Sequence, residues 1–277
     1  MMELYYENSK GEKVNLMANG IYAQNPEKLI ESEWKYNTIS NINGVGRIKN
    51  FYREIQETSL TLSIMADTKE EYNKILEQLH RITEYDVRKN VPGRLWWNDF
   101  YKSVNCYATS YDDFDELFEC VEKEIKFVST EPVWIREKFF SFREIESTQI
   151  DGDYCFDYDF DYIASTANIY FENTSIAESN FEMTVYGPCD DPEITINEHR
   201  YIIYISLLEN EYAKIDSKTR KIIKTSRYGE VENIFHYRDR DNNIFEKIPD
   251  GENTASWSME RGFDLKIYDE RGEPIWI

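Results

Sequence analysis

The stretch Ser59-Leu60-Thr61-Leu62-Ser63-Ile64-Met65 decides the fold class. Leu60, Leu62 and Ile64 point one way and Ser59, Thr61 and Ser63 the other, the period of a half-buried strand. Directly after it the period changes. Thr68 followed by Glu71 forms a capping box, and Tyr72, Ile75, Leu76, Leu79 and Ile82 recur at helical spacing. This helix, with its apolar stripe on a sheet, ends before Pro92-Gly93. Arg94 to Tyr101 then reads as an aromatic hairpin turning at Asn98-Asp99. Val104, Cys106 and Ala108 continue the alternation, Asp112 to Glu116 is an acidic loop, and Glu122 to Val128 alternates again through Ile125 and Phe127. Glu131-Pro132-Val133-Trp134 closes the half. On the amino-terminal side, Leu4, Tyr6 and Lys13 to Met17 form a hairpin around Ser9-Lys10-Gly11. Trp34 to Ile39 and Val45 to Ile48 flank a turn at Asn43-Gly44.

The second half contains no strong helix signal. Short strands are expected at Ala167 to Phe171, Phe181 to Tyr186, Glu193 to Ile196, Tyr201 to Ile205, Tyr212 to Asp216, Ile222 to Thr225, Ser256 to Trp257 and Asp264 to Tyr268. Gly187-Pro188, Tyr228-Gly229 and Pro249-Asp250-Gly251 punctuate them. Many short strands at such intervals argue a β-sandwich. The charged stretch between Trp134 and Asp153, with a turn at Asp151-Gly152, is the expected boundary. The chain is therefore read as mainly β, with residues 1–145 as one domain and 146–277 as another.

Composition bounds the function. The 277 residues suffice for two domains, and 41% are hydrophobic, enough for a core in each. Aromatics reach 15%, which suits sheet faces and protein interfaces. Lys and Arg total 32 against 53 Asp and Glu, a net charge of −21. Phosphate neutralisation needs the opposite sign, so direct nucleic-acid binding and adhesion to anionic membranes are disfavoured. Cys106, Cys120, Cys155 and Cys189 are widely spaced, with no Cys-x-x-Cys, and are expected as reduced thiols. Met1 to Leu16 has no apolar signal core, and no apolar run approaches the roughly 20 residues of a membrane span.

No local signature of chemistry stands out. Asp157, Asp159 and Asp161 share one strand face within Tyr154 to Ile163; without a glycine-containing calcium loop they read as a solvated edge. Asp112, Asp113, Asp115 and Glu116 lack EF-hand spacing. His80, His199 and His236 stand alone and read as structural histidines. Asn43-Gly44-Val45-Gly46 is not followed by the helix a phosphate loop requires. Trp96, Trp97 and Tyr101 could stack on a sugar, but the hairpin alternation favours a core or interface cluster. There is no Gly-x-Ser-x-Gly and no recognisable Cys–His pair. No catalytic, metal-binding or cofactor-binding residue is assigned, and no cofactor is expected.

Specific motifs lie in the second half. Tyr186-Gly187-Pro188 precedes Asp191-Pro192-Glu193-Ile194-Thr195-Ile196-Asn197, and Tyr212 to Lys218 contains Lys-Ile-Asp-Ser. Glu232-Asn233-Ile234-Phe235, Phe245 to Asn253 and Asp269-Glu270-Arg271-Gly272-Glu273-Pro274-Ile275-Trp276 follow. In these stretches the chain resembles the carboxy-terminal half of the distal tail proteins of long-tailed, siphovirus-type phages or their prophage relatives. The Tyr154 to Tyr162 run is similar to a segment of the same family, and the first half is compatible in layout.

The resemblance implies an amino-terminal tail-tube-like β domain with one helix, six copies of which close into a ring extending the tail tube. It implies a carboxy-terminal galectin-like β-sandwich projecting outward. The implied partners are the tail tube protein, the tail-associated tip protein, and receptor-binding proteins or fibres. The implied location is the virion tail tip, after synthesis in the host cytoplasm. Acidic side chains on the ring lumen would then repel the passing genome. Two other readings stay open: a carbohydrate-binding module recognising the host surface through the carboxy-terminal sandwich, and a glycoside hydrolase carrying a sugar-binding module.

Overall fold

The computed structural model describes residues 2–40, 44, 46–110, 114, 120–143 and 169–274. The chain is mainly β with one α-helix, and its contacts group into two compact units, Met1–Arg136 with Glu270–Ile277, and Glu137–Asp269. The expected boundary between 145 and 146 lies outside the described residues.

In the first unit, β1 (Leu4–Glu7) pairs with β2 (Lys13–Asn15) across the expected turn. β3 (Ile21–Gln24), a strand not expected from the sequence, leads through a 3-10 turn at Pro26–Leu29 to β4 (Lys35–Ser40) and β5 (Gly46–Tyr52). β6 (Gln56–Met65) contains the opening stretch, with Leu60, Leu62 and Ile64 buried. α1 (Lys69–Lys89) starts at Thr68, whose hydroxyl accepts the Glu71 amide at 3.2 Å. The Glu71 carboxylate accepts the Asp67 amide, one residue before the position a strict capping box uses. Asn90, at φ 55°, ends the helix. β7 (Gly93–Trp97) and β8 (Phe100–Thr109) form the aromatic hairpin, and β9 (Cys120–Ser129) pairs with both β8 and β6.

The strand order β2-β1-β7-β8-β9-β6-β3 curls, because the first half of β8 pairs with β7 and the second half with β9. The Ala23 amide donates to the Leu16 carbonyl at 2.7 Å, so the two ends of this order meet. Inside lie Leu4, Tyr6, Leu16, Leu62, Trp97, Phe100, Ile125 and Trp134, with Tyr72, Leu79 and Ile82 of α1 in the same core.

One buried polar knot ties helix to sheet. The Tyr6 hydroxyl donates to the Asp86 carboxylate at 2.6 Å, and the Ser9 amide donates to its other oxygen at 2.8 Å. Gly93 makes the approach possible: a Cβ there would stand 2.3 Å from the Tyr6 hydroxyl and 2.4 Å from the carboxylate. Burial, then the Asp86 hydrogen bond, push the Tyr6 phenol far above its ordinary range.

β10 (Trp134–Phe142) carries the chain from the first unit into the second. By sequence the charged residues after Trp134 are expected to form the boundary between the domains. They form a strand because their charges are paired: Arg136 with Asp99 at 3.2 Å, Glu137 with Lys266 at 3.6 Å and Lys138 with Asp269 at 3.9 Å.

The second unit contains β11 (Ile169–Asn173), β12 (Phe181–Tyr186), β13 (Cys189–Asp190), β14 (Glu193–Ile196) and β15 (His199–Ile202). β16 (Ser206–Leu207), β17 (Tyr212–Asp216), β18 (Lys221–Thr225), β19 (Val231–Asn233), β20 (Gly251–Trp257) and β21 (Phe263–Arg271) follow. One antiparallel sheet runs β19-β18-β17-β12-β21, a second runs β11-β20-β14-β15, and β13 pairs with β16. Phe181, Met183, Val185, Ile215, Leu265 and Ile267 of the first sheet share a core with Phe171, Ile194, Ile196, Tyr201 and Ala255 of the second. This is a β-sandwich, as the strand spacing predicts. β20 begins five residues earlier than expected, at Gly251 with φ 80°, since Pro249-Asp250 already completes the turn.

Candidate assembly surface

The β4–β5 hairpin departs from the rest of the first unit. Its two strands pair with each other and, among the described residues, with no other strand. In register, Tyr36 faces Phe51, Thr38 faces Ile48 and Ile39 faces Arg47, with a bulge between Asn37 and Thr38. Partners across an antiparallel ladder share a face. One face therefore carries Tyr36, Phe51, Thr38 and Ile48, and the Arg53 guanidinium stacks over Trp34 at 4.3 Å just beyond. The other carries Lys35, Tyr52, Asn37, Asn50, Ile39 and Arg47. Tyr36 and Phe51 meet edge to face at 6.1 Å.

Neither face is covered. Trp34, Tyr36, Ile39, Ile48, Phe51 and Ile55 are 49–64% exposed. An isolated two-stranded hairpin is marginally stable in water, and a contiguous apolar patch on a soluble subunit marks a contact surface. Alternation alone could not reveal this, since an apolar strand face looks the same whether core or partner covers it.

The root of the hairpin is rigid. Lys102, 4% exposed, donates to the Leu29 carbonyl before the hairpin at 2.9 Å and to the Gln56 side-chain oxygen after it at 3.3 Å. Its ammonium also sits 4.7 Å from the Trp134 ring centroid. Burial, reinforced by the nearby Arg53 charge, lowers its pKa to about 8. Gln56 donates to the Glu31 carbonyl at 2.8 Å, and Arg53 donates to the Pro132 carbonyl. A groove of about 420 Å³ opens beside this root, lined by Glu31, Glu33, Lys35, Glu54, Gln56 and Glu57 among others. The Lys35–Glu54 pair at 2.6 Å spans it.

The other sequence candidates have local structural explanations. Trp97 and Tyr101 are buried; Trp96 stacks on Tyr5 at 5.7 Å, meets Tyr101 at a tilt with centroids 5.0 Å apart, and donates to Glu7. That cluster is a packing element. The ring of His80 is partly buried, which lowers its pKa; His199 bonds the Asn243 carbonyl at 2.9 Å, and His236 packs edge-on against Phe235. Among the described residues no three His, Cys, Asp or Glu side chains converge as a metal site would require. Cys106, Cys120 and Cys189 are free thiols, and burial pushes Cys106 and Cys189 up to about 11, away from nucleophilic reactivity. Gly44 is a turn residue with φ 76°. Asp112, Asp113, Asp115, Glu116, Asp157, Asp159, Asp161, Cys155, Asn43 and Val45 lie outside the described residues.

An open cleft lies on the second unit. It measures about 540 Å³ and is lined by Arg143, Tyr186, Asn210, Tyr212, Glu260 and Arg261 among others. Tyr186 donates to Asp264 at 2.7 Å, and Arg143 pairs with the same carboxylate at 2.7 Å. Burial acts to raise the Asp264 pKa, but hydrogen bonds from Tyr186, Ser141 and Arg143 outweigh it and hold the carboxyl below its usual value.

No family model and no curated protein matches the sequence. Solved structures do match over nearly the whole length. The Dit protein (gp 19.1) of phage SPP1, described as a paradigm of the hub adsorption apparatus of phages infecting Gram-positive bacteria, superposes with a TM-score of 0.60 at 10% identity, covering 98% of this chain and 99% of that one. A chain of the phage P2 baseplate in its activated conformation with calcium gives 0.62 at 10% identity, covering 99% and 100%. The corresponding strontium structure gives 0.59 at 10% identity, again covering 99% and 100%. The chain has the fold of these phage tail hub and baseplate proteins.

Proposed function

We propose that this chain is a structural subunit of a phage tail or a tail-derived particle. In this reading six copies close into a ring that joins the tail tube to the tail tip or baseplate, and the ring serves as a hub for other tip proteins. The observation that carries the reading is the end-to-end coverage: both units are matched, in one chain, by hub and baseplate proteins. The partners are the tube protein, the tail-associated tip protein and receptor-binding proteins, and the location is the virion tail tip. The role is architectural, with no catalytic residue and no cofactor, and the chain binds neither nucleic acid nor membrane. The net charge of −21 supports a lumen that repels DNA during ejection. Ring closure also satisfies exposed strand edges and the uncovered hairpin. Pull-down of the co-expressed tube and tip proteins tests the hub role; failure to retain either counts against it.

A second reading concerns the sandwich alone. The cleft lined by Tyr186 and Tyr212 together with Arg143, Glu260 and Arg261 has the composition of a saccharide site: an aromatic ring for the apolar sugar face and planar polar groups for hydroxyls. A glycan array with the full chain tests it, and loss of any signal in Tyr212→Ala locates it at this cleft.

A further inference from the structure

We infer that the β4–β5 hairpin of one copy docks on the outer face of the β6–β9 sheet of a second copy, and that this contact closes the ring; the inference rests on the hub reading above.

Charge identifies the occupant. Between residues 35 and 53 there are four cations, Lys35, Arg47, Lys49 and Arg53, and no acid. The rest of the chain carries 28 cations against 53 acids. A basic, apolar arm on a strongly acidic chain is complementary to other copies of that chain. Arg47 and Lys49 are exposed. The half-exposed aromatics Trp34, Tyr36 and Phe51, at about 200 Å² each, offer about 300 Å². Ile48 on the same face and the polar and charged side chains around it add to this toward the roughly 800 Å² per partner of a standard protein interface.

The acceptor follows from register. Tyr22 pairs with Ser63, which pairs with Glu122; Thr61 pairs with Glu124, and Ser59 with Lys126. These residues share the side of the sheet opposite to Leu60, Leu62 and Ile64. Exposed there, among the described residues of these strands, are Tyr22, Met65 and Tyr107, at 41–50%, together with Glu57, Glu122 and Glu124 against the cation Lys126. The Tyr107 hydroxyl donates to Glu57 at 3.0 Å, fixing aromatic and acid side by side. This face mirrors the hairpin in character, aromatic and apolar with the opposite charge. Donor and acceptor are different patches, so the contact is head to tail, which propagates from copy to copy and closes into a ring where the rotation between copies allows it. The rigid root at Lys102 and Gln56 sets the direction in which the arm leaves, as a closing ring requires.

The test uses the full chain in three forms. Arg47→Glu with Lys49→Glu changes the hairpin, Glu122→Lys with Glu124→Lys changes the face, and the third form combines all four. All these side chains are exposed, so circular dichroism and urea midpoints should match the wild type. Native mass spectrometry and negative-stain images should show rings for the wild type, monomers for each two-residue variant, and rings again for the combined form. An equimolar mixture of the two monomeric variants should regain rings in which they alternate, since each hairpin then meets a face of opposite charge. Rings that persist in either two-residue variant overturn the docking inference and leave the hub reading intact. A wild type that forms no rings overturns both.

Discussion

Replacing Lys102 by methionine separates two contributions that the structure places at the hairpin root. The lysine is buried, and its folded pKa of about 8 lies below its ordinary 10.5. A lowered pKa on a base means that the folded chain gives up its proton first. Between pH 8 and 10.5 the unfolded chain holds a proton that the folded chain has lost, so stability rises with pH across that window. Below pH 8 the charged lysine costs its full penalty. The gap is worth about 3 kcal/mol at 1.36 kcal/mol per pH unit. Methionine has similar length and no charge, so Lys102→Met removes the titration. It also leaves the Leu29 carbonyl and the Gln56 side-chain oxygen without this donor, a loss of about 1–3 kcal/mol. The net change at neutral pH is thus small, because the two terms oppose. The slope is the diagnostic quantity. Urea unfolding of both proteins from pH 7 to 10.5, followed by tryptophan fluorescence, should show wild-type stability gaining on the variant by about 3 kcal/mol. Trp34, Trp96, Trp97 and Trp134 report on the first unit. A difference that stays flat with pH would refute the claim that burial depresses this lysine.

Other outcomes follow from the packing. Gly93→Ala should destabilise the first unit by about 2–4 kcal/mol, since its Cβ cannot coexist with the Tyr6–Asp86 hydrogen bond. Tyr6→Phe should cost about 1.5–3 kcal/mol by leaving the buried carboxylate with fewer donors, and urea titration checks both. Gly262→Ala should unfold the second unit at lower urea, because φ 67° disfavours a side chain and the new Cβ would lie 2.0 Å from the Phe142 carbonyl oxygen. In the native protein Cys106 should resist a thiol reagent at pH 8 while partly exposed Cys120 reacts, as peptide mapping by mass spectrometry reads directly.

Much of this fold was legible in the sequence, for identifiable reasons. Phe181 to Tyr186, Glu193 to Ile196 and Tyr212 to Asp216 alternate cleanly between turns and are strands with those bounds. Thr68 and Glu71 announced the start of α1, and Pro92-Gly93 its end. The strand after Trp134 was not legible, because its charges find partners remote in sequence, Arg136 at the β7–β8 turn and Glu137 on β21. The candidate surface was the least visible part. Trp34, Tyr36 and Phe51 sit at positions that alternate as a core-facing strand would, and only tertiary structure shows that no core lies beneath them. The one available hint was the run of cations from Lys35 to Arg53 in an otherwise acidic chain.

Negative-stain imaging of the purified wild type, with its mass measured in solution, tests the proposed ring-forming hub. Six-fold rings with an open centre and the mass of six chains are predicted; monomers at every concentration, or open filaments, would contradict it.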